Sequence, residues 1–72
     1  MTLGEKIRWL REERRLTQGA LGDLIHMTQR KISYLECEKC EPSLDDIVSL
    51  CQFFHVSADW LLDLPHGLTY FK

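Results

Sequence analysis

Thr17-Gln18-Gly19-Ala20-Leu21-Gly22-Asp23-Leu24-Ile25-His26-Met27-Thr28-Gln29-Arg30-Lys31-Ile32-Ser33-Tyr34-Leu35 is the stretch whose reading decides the fold. Thr17 is a good N-cap, because its hydroxyl can accept from a free amide of the helical turn that follows. Leu16, just before it, stands five positions from Leu21, the spacing at which a residue preceding the cap packs on the fourth helical residue. The arrangement recurs at once, with Thr28 as a second cap and Met27 stapled to Ile32. One helix must then end near Leu24 or Ile25 and another begin at Gln29, so only Ile25, His26 and Met27 remain for the turn. Ala20, Leu21, Leu24 and Ile25 on the first helix, with Ile32 and Leu35 on the second, give two apolar stripes that can face a common core. Gln29, Arg30, Ser33 and Tyr34 then face away from it.

Outward from this stretch the signals stay helical. Thr2-Leu3-Gly4-Glu5 reads as a capping box opening a first helix that runs to about Arg14, with Leu3, Ile7 and Leu10 on its buried side. Glu38 to Glu41 form a polar loop ended by Pro42. Ser43 then caps a fourth helix, with Asp46 at the reciprocal position and Leu44, Ile47, Val48, Leu50, Cys51 and Phe54 as its buried face. Val56, Ser57 and Leu61 repeat the staple and cap for a short fifth helix that ends before Pro65. The expected fold is all-α, with residues 1–64 as one domain and 65–72 as a tail. Leu68, Tyr70 and Phe71 of that tail either fold back on the first or fifth helix or join the fifth helix in a dimer interface.

Seventy-two residues fit one small domain, in which the helices must share most of their apolar surface. No run of eighteen apolar residues is present and the N-terminus lacks a secretory apolar region, so no membrane partner and a cytoplasmic location are expected. Net charge is −2, which counts against nucleic-acid binding. Its distribution points the other way, because residues 1–39 carry a balance of +2 and residues 40–72 a balance of −4. The positive half coincides with the two-helix stretch.

Two short helices joined by a three-residue turn, the second with polar side chains outward, form a shape that enters a groove of DNA. Side chains that reach base edges must lie at the first two positions of the second helix and one turn later, which selects Gln29, Arg30, Ser33 and Tyr34. Gln can pair with adenine, Arg can donate twice to guanine, and Tyr34 can pack on a thymine methyl or bond a phosphate. Gln18, at the first position of the preceding helix, lies where free amides and the helix dipole favour a phosphate.

Leu16-Thr17-Gln18, the helix from Thr28 to Glu36, Lys39, Pro42-Ser43-Leu44, and Val56-Ser57 with Asp59-Trp60-Leu61-Leu62 together resemble the Cro/Xre-type helix-turn-helix family of phage and bacterial repressors. The resemblance runs without gaps from Leu16 to about Leu62 and extends to the leading helix. It implies a compact five-helix, lambda-repressor-like domain acting as a homodimeric, sequence-specific repressor on a palindromic double-stranded DNA operator. It also implies a phosphate clamp at Gln18 and a second phosphate contact at Lys39, with Thr17, Thr28 and Lys31 completing the backbone contacts. Residues matching Arg11 and Glu36 form an ion pair in family members, linking the first helix to the end of the third. His26 and Glu38 depart from the pattern, since each stands where glycine is usual, and Glu38 brings a negative charge toward the expected path of the DNA.

Three cysteines without a signal peptide read as reduced thiols. Cys37, Cys40, Cys51 and His55 match the spacing of four zinc ligands. Against that reading, Cys51 falls on the apolar stripe of the fourth helix and His55 at its end, so no cofactor is expected. A CxxC redox site is disfavoured because Cys37 ends a helix, where the dipole opposes a thiolate. Neither a phosphate loop nor a hydrolase motif occurs, which excludes the common enzyme classes. Two other readings remain, a protein-interaction module of the same fold, such as an antitoxin or anti-repressor, and a thiol- or zinc-responsive regulator.

Overall fold

A serine or threonine hydroxyl starts each helix of the computed structural model, which describes residues 1–63. The helices are α1 (Leu3–Glu13), α2 (Gln18–Ile25), α3 (Gln29–Glu36), α4 (Leu44–Phe54) and α5 (Ala58–Leu62), with no strand among the described residues. Thr2, Thr17, Thr28, Ser43 and Ser57 hold extended backbone, and each hydroxyl accepts from an amide of the first turn. Thr2 with Glu5 and Ser43 with Asp46 close reciprocal capping boxes. Among the described residues no helix is long and apolar enough to cross a membrane.

Helix ends are where this chain is strained. Arg15, His26, Glu38, His55 and Asp63 all adopt positive φ, between 55° and 61°, and none is glycine. A side chain in left-handed backbone costs about 1 kcal/mol relative to glycine, less for His and Asp than for most residues. His26 ends α2 in this conformation and is exposed. His26→Gly should therefore raise stability by about 0.5 kcal/mol, read as a higher denaturant midpoint at unchanged slope. An unchanged or lower midpoint would show that the turn carries no strain.

α3 packs on α1 and α2, α4 on α2, and α5 closes against α1 and α4. Ile7, Leu10, Leu21, Ile25, Ile32, Leu35, Leu50, Phe54 and Leu61 form the core, and the stapling residues Leu16, Met27 and Val56 pack on its edge. Three residues expected inside are outside: Leu24 is 54% exposed, Leu44 85% and Val48 51%. The cause is helical phase. Leu21, Gly22 and Ile25 set the buried face of α2, and at 3.6 residues per turn Leu24 falls at its margin. In α4, Asp46, Leu50 and Phe54 set the buried face, which leaves Leu44 and Val48 on the far side. Lys6 is instead buried, its ammonium donating to the Trp60 carbonyl oxygen and lying 5.0 Å from the Trp60 ring centre. The expectations for Leu68, Tyr70 and Phe71 lie outside the described residues.

Two glycines set how closely the helices approach. A Cβ on Gly4 would meet the Leu35 carbonyl oxygen at 2.7 Å and the Glu36 carbonyl oxygen closer still, and a Cβ on Gly22 would strike the Met27 carbonyl oxygen. The start of α1 thus rests on the carbonyls that end α3, while α2 is crossed at Gly22 by the turn that leads into α3.

Candidate nucleic-acid interface

The short turn, held by the Met27 N–H donating to the Gly22 carbonyl oxygen at 2.8 Å, brings the first residues of α2 beside the solvent face of α3. Gln18, Gln29, Arg30, Ser33 and Tyr34 line one open hollow of about 420 Å³. Four of these are the expected base-reading residues of α3 and the fifth is the expected phosphate clamp. Gln29, Arg30 and Tyr34 are exposed and Ser33 half-buried. The Arg30 guanidinium carbon lies 5.9 Å and the Lys39 ammonium 6.0 Å from the centre of the Tyr34 ring, so the ring gathers two cations at the edge of the hollow.

The backbone-contact candidates divide by what already engages them. Thr17 accepts from the Ala20 amide at 3.0 Å and Thr28 from the Lys31 amide at 3.1 Å, each fixing the start of its helix. Both side chains are exposed at the ends that carry the positive pole of the helix dipole. The Lys31 ammonium donates to Asp46, at 2.8 Å to Oδ2 and 3.0 Å to Oδ1, which ties α3 to the start of α4. Burial pushes the Asp46 carboxyl up, but hydrogen bonds from Lys31 and from the Ser43 amide and hydroxyl outweigh it and hold the group below its ordinary value. The sequence pattern reveals only the capping duty of Asp46.

Arg11 and Glu36 form a bidentate pair. Nε donates to Oε2 at 2.7 Å and Nη2 to Oε1 at 3.1 Å, with the side chains 13% and 4% exposed. The bond from Arg11 to Glu36 raises the guanidinium pKa further above its ordinary value. Glu38 holds left-handed backbone just beyond α3, and its Oε1 accepts from the Gly4 amide at 2.7 Å. Its charge is thereby turned to the positive end of α1, a role its position after α3 does not reveal.

Cys37 caps α3 and is exposed, while Cys40 and Cys51 are half-buried against the core. Burial raises the Cys51 thiol pKa above its ordinary value. Among the described residues no group of three or more His, Cys, Asp or Glu side chains is placed to hold a metal ion.

The profile of the helix-turn-helix domain family matches residues 2–64. No curated protein sequence matches the chain. Among solved structures, the P22 c2 repressor in complex with synthetic operator 9T superposes with a TM-score of 0.81 at 31% identity, over 86% of this chain and 94% of that one. The solution structure of the DNA-binding domain of the P22 c2 repressor, residues 1–76, gives 0.78 at 30% identity, over 94% of this chain and 92% of that one. Five capped helices, the close crossing of α2 and α3 and these matches agree, and the chain belongs to the helix-turn-helix domain family.

Proposed function

We propose that this chain is a sequence-specific DNA-binding transcriptional repressor that binds a palindromic operator as a homodimer. The observation that carries the reading is the hollow that joins Gln18 to Gln29, Arg30, Ser33 and Tyr34. A solved relative with the same fold is bound to a synthetic operator. With α3 in the major groove, Gln29, Arg30, Ser33 and Tyr34 reach base edges, and Arg30 donates to the O6 and N7 of guanine. Thr17, Gln18, Thr28, Lys31 and Lys39 grip phosphates on either side and set the register without reading sequence. Lys31 does so with the one ammonium hydrogen that Asp46 leaves free.

One α3 spans only a few base pairs, so two subunits related by a two-fold axis would read half-sites about 34 Å apart. Trp60 and Leu62 of α5 remain 38% and 40% exposed in the monomer and supply apolar surface for a second copy. Selection of bound sequences from a random duplex pool at two salt concentrations tests the whole reading. An enriched palindrome, bound more weakly at the higher salt, is expected. Arg30→Ala should then cost about 1–3 kcal/mol and relax selection at one position of each half-site. Loss of the same size on operator and unrelated DNA would remove Arg30 from base reading, and a folded protein that enriches nothing would overturn the function.

A further inference from the structure

Glu36 reaches beyond its ion pair. Its Oε1 accepts from Gln18 Nε2 at 3.2 Å as well as from Arg11 Nη2, and Arg11 Nη1 continues to the Leu16 carbonyl oxygen at 2.8 Å. The carboxylate thus sits behind the start of α2, tied through Arg11 to the residue before the Thr17 cap and directly to the residue after it. A glutamine amide has two N–H donors. One is taken by Glu36, and the other is left for the hollow that Gln18 lines.

We infer that Glu36 is a positioning residue for the DNA backbone, holding the Gln18 amide so that its free N–H faces the phosphate that meets the start of α2. The inference rests on the assignment of Gln18 as the phosphate clamp. A bare carboxylate so placed would repel a phosphate, and the bidentate guanidinium of Arg11 cancels that charge while leaving an acceptor for Gln18. Glutamine is rich in rotamers, and a side chain immobilised during folding loses no such freedom when DNA arrives.

A double-mutant cycle on the selected operator tests this, with Gln18→Ala as one arm and the paired change Arg11→Met with Glu36→Leu as the other. The paired change leaves no orphaned charge, which protects the fold. Gln18→Ala should weaken binding about tenfold on operator and unrelated DNA alike, the size expected for a bond to a charged group. The paired change should weaken binding about fivefold when Gln18 is present and less than about twofold when Gln18→Ala is already made. Equal weakening in both backgrounds would overturn the positioning role while leaving the clamp intact. No effect of Gln18→Ala on any DNA would overturn the clamp itself. Independently of any variant, the Gln18 side-chain amide of the free wild-type protein should show an NMR order parameter near that of rigid backbone, about 0.85, and a value under about 0.6 refutes the inference.

Discussion

Gly22→Ala should destabilise the domain by about 3 kcal/mol, enough to lower the melting temperature of a chain this short by about 12–24 °C. The added methyl would lie against the Met27 carbonyl oxygen, with the Met27 and Thr28 carbonyl carbons at 3.3 and 3.5 Å. All three are backbone atoms of the turn and of the cap that starts α3, so no side chain can swing aside. Relief requires α2 and α3 to separate, which would lose the Met27–Gly22 hydrogen bond and open the core between Leu21, Ile25 and Ile32. The gain in helix propensity from glycine to alanine, about 1 kcal/mol, opposes the clash but is smaller. Gly19→Ala is the internal control, because its Cβ would meet only the Gln29 side-chain oxygen at 3.6 Å, an ordinary contact. That variant should be neutral or slightly more stable. Thermal unfolding of the two side by side separates the cases, and a Gly22→Ala variant within about 0.5 kcal/mol of the control would mean that the crossing is not a close one.

Gly22 also marks a limit of sequence reading. The caps at Thr2, Thr17, Thr28, Ser43 and Ser57 are legible because a hydroxyl before an apolar period is a local signal, and all five start helices. The polar face of α3 is legible because its four side chains follow from helical phase once the Thr28 cap is placed. Close approach of two backbones is not local, and its only trace in the sequence is a glycine kept inside a helical pattern at the expense of propensity. Leu24, Leu44 and Val48 mislead for a related reason, since an apolar residue beside a stripe reads as part of it until the centre of the buried face is known. Glu38 reads as a charge in the path of DNA, and only the fold shows the Gly4 amide that it accepts from. The family resemblance pairs Arg11 with Glu36, but nothing in the order of residues announces that Gln18 shares the same carboxylate oxygen.

That shared carboxylate makes Arg11→Met the other change of large effect, with an expected cost of about 3–5 kcal/mol. Removing the guanidinium would leave a carboxylate that is 4% exposed with only the Gln18 amide as donor, and would strip the Leu16 carbonyl of the Arg11 Nη1 bond. The expense lies in the orphaned charge rather than in the lost attraction, so Arg11→Met together with Glu36→Leu should recover more than half of the loss. Arg8→Met calibrates the comparison. Its pair with Glu12 is 3.4 Å long, with side chains 65% and 57% exposed, and an exposed pair of that kind contributes well under about 1 kcal/mol. Denaturant unfolding of the single, paired and control variants at neutral pH distinguishes the outcomes. If Arg11→Met falls with Arg8→Met, the pair is solvated and holds nothing together. If it is severe and the paired change does not relieve it, the lost guanidinium contacts to Leu16 and the start of α2 carry the stability instead. The expected pattern, severe alone and relieved when paired, would leave a folded domain in which the core is intact and the tether on Gln18 is gone together with the Arg11 bond to the Leu16 carbonyl, which is the protein needed to weigh the two duties of Glu36 apart.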